Sequence, residues 1–294
     1  MKRFLIGALL AIASTAVFAV PQDLTFCTGG EGGAYEALGQ TIGGEIARKT
    51  GAKLDVINTG GSVENAQLMK EGDCVMAIMQ ADAVTSLGLP RDIAVTNAHT
   101  EAVFWIHGKN GIKNFDDMKD EENLVRAVAY VSGSGAEVTV RNFGNVSEDF
   151  KKIKTVEFDD WYSAAEAVQQ GFTMKGGVRI EIGGMIYVGR PGLITNEITD
   201  DFKEALSIGE IKASAFGKAK DRNENPLYFA CKIDNKGDSG IPSDNSWTNI
   251  STYCMSAQVV YNNSWHTDLD KKEGRNVKRA VAKAINSNLK AVRQ

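Results

Sequence analysis

Three times along this chain a glycine-rich turn carrying small hydroxyls joins an apolar run to a helical pattern. The segments are Thr28-Gly29-Gly30-Glu31-Gly32-Gly33-Ala34-Tyr35, Thr59-Gly60-Gly61-Ser62-Val63-Glu64-Asn65 and Ser132-Gly133-Ser134-Gly135-Ala136-Glu137. A strand that turns directly into a helix is the repeating step of an α/β layer, so the chain is committed to that class before any other feature is weighed. The flanking residues agree. Residues 24–27 and 53–58 read as strands, and 74–79 is the unbroken apolar run of a strand covered on both faces. Tyr35, Leu38, Ile42 and Ile46 share one helical face, and a second helix over 62–70 stops at Gly72.

After Gly111 the alternation begins again, with strands at 125–131, 153–158 and 185–188 and helices at 136–143 and 163–170. Strand-like runs follow at 210–216, 227–233 and 252–261, and a closing helix aligns Val277, Val281, Ala284, Ile285 and Leu289. The 294 residues are long enough for two cores. With no flexible linker between the two series, the expected architecture is a pair of α/β lobes joined by crossing strands. Residues 20–104 and 209–294 are assigned to lobe one and 105–208 to lobe two, with 103–107 as the first crossing.

Residues 1–19 read separately. Lys2 and Arg3 precede an apolar stretch over 4–18 that ends in Val17-Phe18-Ala19, the charged, apolar and small-residue layout of a secretory signal. The stretch is short for a membrane span, and no cysteine follows it to carry a lipid. A soluble periplasmic protein is therefore expected. Without Lys2 and Arg3 the 33 basic residues fall to 31 against 37 acidic ones, a net charge of −6, and no basic stripe is present to neutralise phosphates. Nucleic acid is not an expected partner. Cys27, Cys74, Cys231 and Cys254 have no zinc or redox spacing. In an oxidising compartment Cys231 and Cys254 are placed to close a loop, whereas Cys27 and Cys74, on expected strands, read equally well as buried thiols.

Each glycine-rich junction sets a helix N-terminus at the carboxyl end of a strand, where unpaired N–H groups and the helix dipole favour an anion. Taken singly, each is a tight turn with a helix cap; three facing one cleft are a way to hold a carboxylate. The first junction has Tyr35 where a dinucleotide fingerprint needs its third glycine, and no Gly-Lys-Ser/Thr occurs, so a nucleotide site is not expected. His99, His107 and His266 fall in no metal-ligand spacing and read as surface or loop residues. Asp116-Asp117 and Asp159-Asp160 read as turn or helix-start residues. No catalytic set, metal or cofactor is expected.

At these residues the chain resembles the TAXI-type substrate-binding proteins of tripartite ATP-independent periplasmic (TRAP) transporters. The resemblance is carried by Thr28-Gly29-Gly30-x-Gly32-Gly33-x-Tyr35, Thr59-x-Gly61-Ser62-Val63-x-Asn65 and Gln80-x-Asp82. It continues in Gly111-Ile112-Lys113-Asn114-Phe115-Asp116-Asp117-Met118-Lys119 and the Ser132–Glu137 helix start, and so spans most of the chain beyond the leader. It implies a two-lobed periplasmic binding protein fold of type II, with the ligand cleft between the lobes. It further implies a monomeric receptor that closes on a small carboxylate, glutamate or 2-oxoglutarate, and delivers it to a TRAP-type membrane permease. By motif match the cleft is expected near Gly33, Tyr35, Thr59, Gly61, Ser62, Gln80, Asp82, Ser134, Gly135 and Glu137. Tyr35 is expected to pack on or bond the ligand, Ser62 and Ser134 to donate hydroxyls, and Asp82 to accept an ammonium group. Arg190, beside Pro191, is a further candidate carboxylate partner and reads at least as well as a solvated surface arginine. Two positions depart from the family pattern: Ala136 replaces a threonine, and Gly184 stands near a frequent aspartate. The same fold would also serve a sensory or scavenging protein without a permease, or a secreted enzyme.

Overall fold

The computed structural model describes residues 23–221, 224–234, 240–244, 249–267 and 269–292; the expected leader lies outside them. The chain opens with β1 (Leu24–Cys27), α1 (Ala34–Thr50), β2 (Leu54–Ile57), α2 (Ser62–Glu71), β3 (Met76–Gln80) and α3 (Ala81–Ser86). A long strand, β4 (Ile93–Gly108), leads to β5 (Ala127–Val131), α4 (Gly135–Val146), β6 (Lys154–Phe158), α5 (Trp161–Gln170) and a hairpin of β7 (Phe172–Lys175) and β8 (Val178–Gly189). Then come α6 (Asn196–Phe202), β9 (Leu206–Gly209), β10 (Phe229–Ile233), β11 (Ile250–Asn262) and α7 (Lys271–Val292).

The strands form one sheet in the order β2-β1-β3-β11-β4-β8-β5-β6. β1 is parallel to β2 and β3, and β5 is parallel to β6 and β8, as the two βα series require. β4 and β11 lie antiparallel in the middle and belong to both lobes. β11 pairs β3 through residues 257–261, while β4 pairs β8 through 102–106 and β9 through 105–108. Residues 103–107, expected as the crossing, are thus the lobe-two half of a strand that starts ten residues earlier. The β4–β11 register shifts between Ser256 and Gln258, at the point where the strands pass from one lobe to the other.

Each lobe buries apolar side chains on both faces of its sheet. In lobe one, Leu38, Ile42 and Ile46 of α1 and Val277, Val281, Ala284 and Ile285 of α7 cover one face, and Ala66 and Met69 of α2 the other. Removal of this much apolar surface from water is the main stabilising term. In lobe two an aromatic cluster of Trp105, Phe115, Phe143, Phe150, Phe216 and Tyr228 fills one face, with Phe115 and Phe143 centred 4.8 Å apart. Ile211, Phe216, Tyr228, Ile233, Ile250 and Tyr253 all pack into these lobe-two cores. These six residues, expected with lobe one, therefore pack on lobe two. Residues 210–216, expected as a strand, form a loop that ends in a 3-10 turn at Phe216–Lys218.

All four cysteines are paired, Cys27 with Cys74 and Cys231 with Cys254, at Cα separations of 5.9 and 5.8 Å. The first pair ties the end of β1 to the entry of β3 and replaces the two-way reading of those thiols. Among the described residues no helix is long and apolar enough to cross a membrane.

Candidate functional site

The carboxyl ends of β1, β2 and β3 in lobe one face those of β5, β6 and β8 in lobe two, the usual place for a ligand crevice in open α/β sheets. A cavity of about 450 Å³ lies there. It is lined from lobe one by residues 29–35, Gly60, Gly61, Ser62 and Gln80, and from β4 by Glu101. Lobe two adds Ser134, Gly135, Trp161, residues 187–190 and residues 193–196. Of the residues expected from sequence, Gly33, Tyr35, Gly61, Ser62, Gln80, Ser134, Gly135 and Arg190 are brought together here.

The glycines act by omission. Gly61 has φ +124°, open to glycine alone, and a Cβ there would lie 3.4 Å from the Ser134 Cα. At Gly135 a Cβ would fall inside the Gln80 carboxamide. The N–H of Val63 donates to the Gly133 carbonyl at 3.1 Å, so the starts of α2 and α4 touch across the lobes. The lobes are closed along this side, and the cavity opens beside it.

Two polar groups face this cleft without partners: Gln80 Oε1 and Arg190 Nε are buried and make no hydrogen bond. Buried polar atoms are almost always paired, so an unpaired amide oxygen and guanidinium nitrogen mark a place where something else binds. Glu101 is also buried. Its Oε2 accepts from the Tyr35 hydroxyl at 3.0 Å, and its Oε1 lies 3.3 Å from His99 Nε2. Burial, reinforced by the Glu101 charge, holds the Tyr35 phenol well above its usual range, so it stays a neutral donor. Ser62 Oγ accepts from the Gln80 N–H at 3.1 Å and also lies within hydrogen-bonding reach of the Tyr35 phenol. Ser134 Oγ donates to the Val131 carbonyl at 2.6 Å, so its expected donation to a ligand is already spent.

Three expected site residues lie outside the cavity. Thr59 is buried beneath the loop, donating to Asn65 Oδ1 at 2.7 Å. Glu137 folds back to accept the Gly133 N–H at 2.7 Å and pairs with Arg141, so it caps α4. Asp82 is fully buried between the lobes. It accepts from Thr139 Oγ1 and the Tyr228 hydroxyl, each at 2.8 Å, and from the Ala83 N–H at 2.8 Å. It cannot meet a ligand ammonium. Glu101, in a half-polar strand that gives little apolar signal, is the buried acid that lines the cleft. Both departures from the family pattern prove internal. Ala136 is buried in the lobe-two core, and a Cβ on Gly184 would lie 2.7 Å from the Ile106 carbonyl, leaving no room for an aspartate. Two of the three histidines are placed differently from expectation: His107 is buried and 3.0 Å from Asp244, and the His99 side chain is nearly buried beside Glu101.

Burial pushes the Asp82 pKa up to about 6; the three donors oppose this, and the Glu101 charge adds to it. The folded value lies above the unfolded one, so the folded chain holds the proton more tightly. Stability is expected to rise as pH falls from 7.5 through 6 and to level off near the unfolded value of roughly 4, by on the order of 2 kcal/mol. Urea unfolding of wild type and Asp82→Asn at pH 7.5 and 5 checks this. The gain on acidification should be smaller in the variant, and an equal gain in both would show that Asp82 is not its source.

A model of the NMT1-like family matches residues 26–88, the β1–α3 portion of lobe one. No curated protein matches the chain. The GluR0 ligand-binding core from Nostoc punctiforme in complex with L-glutamate superposes with a TM-score of 0.50 at 10% identity, covering 91% of this chain and 96% of that one. MatC from Rhodopseudomonas palustris with bound malate gives 0.43 at 13% identity over 91% and 86%. The reduced form of the OxyR regulatory domain from Pseudomonas aeruginosa gives 0.42 at 7% identity over 91% and 98%. The fold is the mixed α/β, two-lobed fold of type II periplasmic binding proteins. The chain thus has a binding-protein-like fold with a cavity between its lobes.

Proposed function

We propose that this chain is an extracytoplasmic solute receptor of the TAXI type, which binds a small carboxylate-bearing metabolite between its lobes and hands it, unaltered, to a TRAP-type membrane permease. The observation that carries the reading is the inter-lobe cavity in which Arg190 Nε and Gln80 Oε1 are buried without partners. A ligand carboxylate would satisfy the guanidinium, and a ligand donor the amide oxygen. Contacts from both lobes would favour the closed form over the open one, which is how a ligand drives hinge closure. The fold shared with a glutamate-binding core supports a ligand of this size and chemistry. Export is supported by the leader pattern of residues 1–19 and by the pairing of all four cysteines, which suits an oxidising compartment.

A thermal-shift screen of residues 20–294 against amino acids, 2-oxo acids and dicarboxylates tests it. A ligand at 100 times its Kd adds about 2.7 kcal/mol, worth several degrees of melting temperature in a chain of this size. The Ser62→Ala/Tyr35→Ala double variant should lose the shift. If no member of the panel raises the melting temperature, the receptor reading is wrong for these ligand classes; a shift retained in the double variant would move the site elsewhere.

A further inference from the structure

The charges of the cleft are unequal to a dicarboxylate. Among its described lining residues the charged groups are Glu31, Glu101 and Arg190, so one cation faces two acids. The three helix N-termini do not make up the difference, because each already holds a carboxylate of its own. Glu36 Oε2 accepts the Gly32 N–H at 2.6 Å, Glu64 Oε2 the Gly60 N–H at 2.7 Å, and Glu137 Oε2 the Gly133 N–H at 2.7 Å. A negative side chain in the first turn offsets the positive end of the helix dipole, so these termini attract a second carboxylate weakly.

Continued past the last strand pair, the register sets buried Glu101 opposite half-buried Arg190. Ala102 of β4 pairs with Gly189 of β8, and one step further along each antiparallel chain stand Glu101 and Arg190. Opposed positions on neighbouring strands carry Cβ atoms roughly 5 Å apart, a spacing that an adjacent ammonium and carboxylate can bridge. Glu101 is buried with a phenol and an imidazole on its oxygens and needs a positive partner more than another donor. Beyond this pair the lobe-two wall turns apolar, with Trp161 set edge-on to Tyr187 at 4.8 Å, followed by Leu193 and Ile194.

We infer that the ligand is an α-amino acid with an uncharged, apolar side chain: its carboxylate on Arg190, its ammonium on Glu101, and its side chain against Trp161, Tyr187 and Ile194. This deepens the receptor proposal and rests on it. A second carboxylate, as in glutamate or 2-oxoglutarate, would meet the apolar wall or Glu31 with no cation to pair it, and such a group is costly to desolvate alone. An aliphatic or aromatic side chain gains burial there instead.

Calorimetric titration of the chain with L-leucine, L-phenylalanine, L-glutamate, 2-oxoglutarate and 4-methyl-2-oxopentanoate tests this directly. L-leucine or L-phenylalanine should bind at least tenfold more tightly than L-glutamate. L-leucine should also exceed its 2-oxo analogue, which carries a keto oxygen in place of the ammonium group, by tenfold or more. In Glu101→Gln the analogue's disadvantage should shrink to less than threefold. The comparison of L-leucine with its analogue on the wild-type chain needs no variant, so it holds even if Glu101→Gln folds poorly. Tighter binding of glutamate or 2-oxoglutarate overturns the ligand assignment and leaves the receptor standing. Binding of none of the five overturns both.

Discussion

Replacing Arg190 with glutamine is expected to weaken binding of whichever carboxylate stabilises the wild-type chain by at least 100-fold, while leaving the fold intact. The guanidinium sits at the end of β8 with its Nε buried and unpaired, so the protein itself makes little use of it there. A carboxylate entering the cleft would form the charge-assisted bond that this nitrogen lacks. Removing one partner of a buried charged pair typically costs 2–5 kcal/mol, and about 2.7 kcal/mol is already a factor of 100. Glutamine keeps some polar reach but neither the charge nor the forked geometry. Glu31, exposed on the glycine-rich loop, provides the contrast: Glu31→Gln should change affinity by less than threefold, as exposed charges do. Calorimetry on the two variants, with unfolding curves to confirm that each is folded, separates a ligand-holding arginine from a surface one. Equal, small losses in both would remove Arg190 from the site.

The second large effect concerns stability. Substituting alanine for both Cys27 and Cys74, which are 47 residues apart, is expected to cost about 4 kcal/mol through the regained freedom of the unfolded chain. The shorter Cys231–Cys254 link, spanning 23 residues, should cost about 3 kcal/mol by the same reasoning. The first pair carries an added burden because both sulfurs are buried, and the truncated side chains leave space beside Ala66, Met69 and Ala77. Urea unfolding of the two double variants measures both costs. A loss under 1 kcal/mol in the Cys27/Cys74 variant would mean that the pair contributes little to the folded chain. If the losses are as large as expected, the chain depends on oxidative folding, which agrees with synthesis for export.

Much of this fold is written in local pattern. The three glycine-rich junctions specify strand, turn and helix within a few residues, because glycine and a small hydroxyl at such a turn leave few alternatives. Continuous apolar runs such as 74–79 mark the covered strands in the same way. The first half of β4 is not legible. Residues 93–101 mix Thr, Asn, His and Glu with short apolar residues, since this strand is held by β11 on one side and exposed along much of its length. Glu101 is hidden with it, although it is the buried acid of the cleft. Asp82 misleads for a related reason. A carboxylate beside a glycine-rich cleft looks like a ligand contact in sequence, and only the approach of Thr139 and Tyr228, 57 and 146 residues away, shows it to be an inter-lobe anchor. The allotment of residues 229–233 and 250–254 likewise depends on the pairing of β10 with β11. Side-chain patterns report what a residue faces, not which distant strand supplies the face.

In the proposed receptor one ligand is held by both lobes at once. Hydrogen exchange of the chain with and without the ligand that most raises its melting temperature tests this most directly. Slowed exchange is expected together at residues 29–35 and 60–63 of lobe one and at 134–136 and 187–196 of lobe two, with the outer helix α7 unchanged. Protection confined to one lobe, or centred away from these four segments, would contradict it.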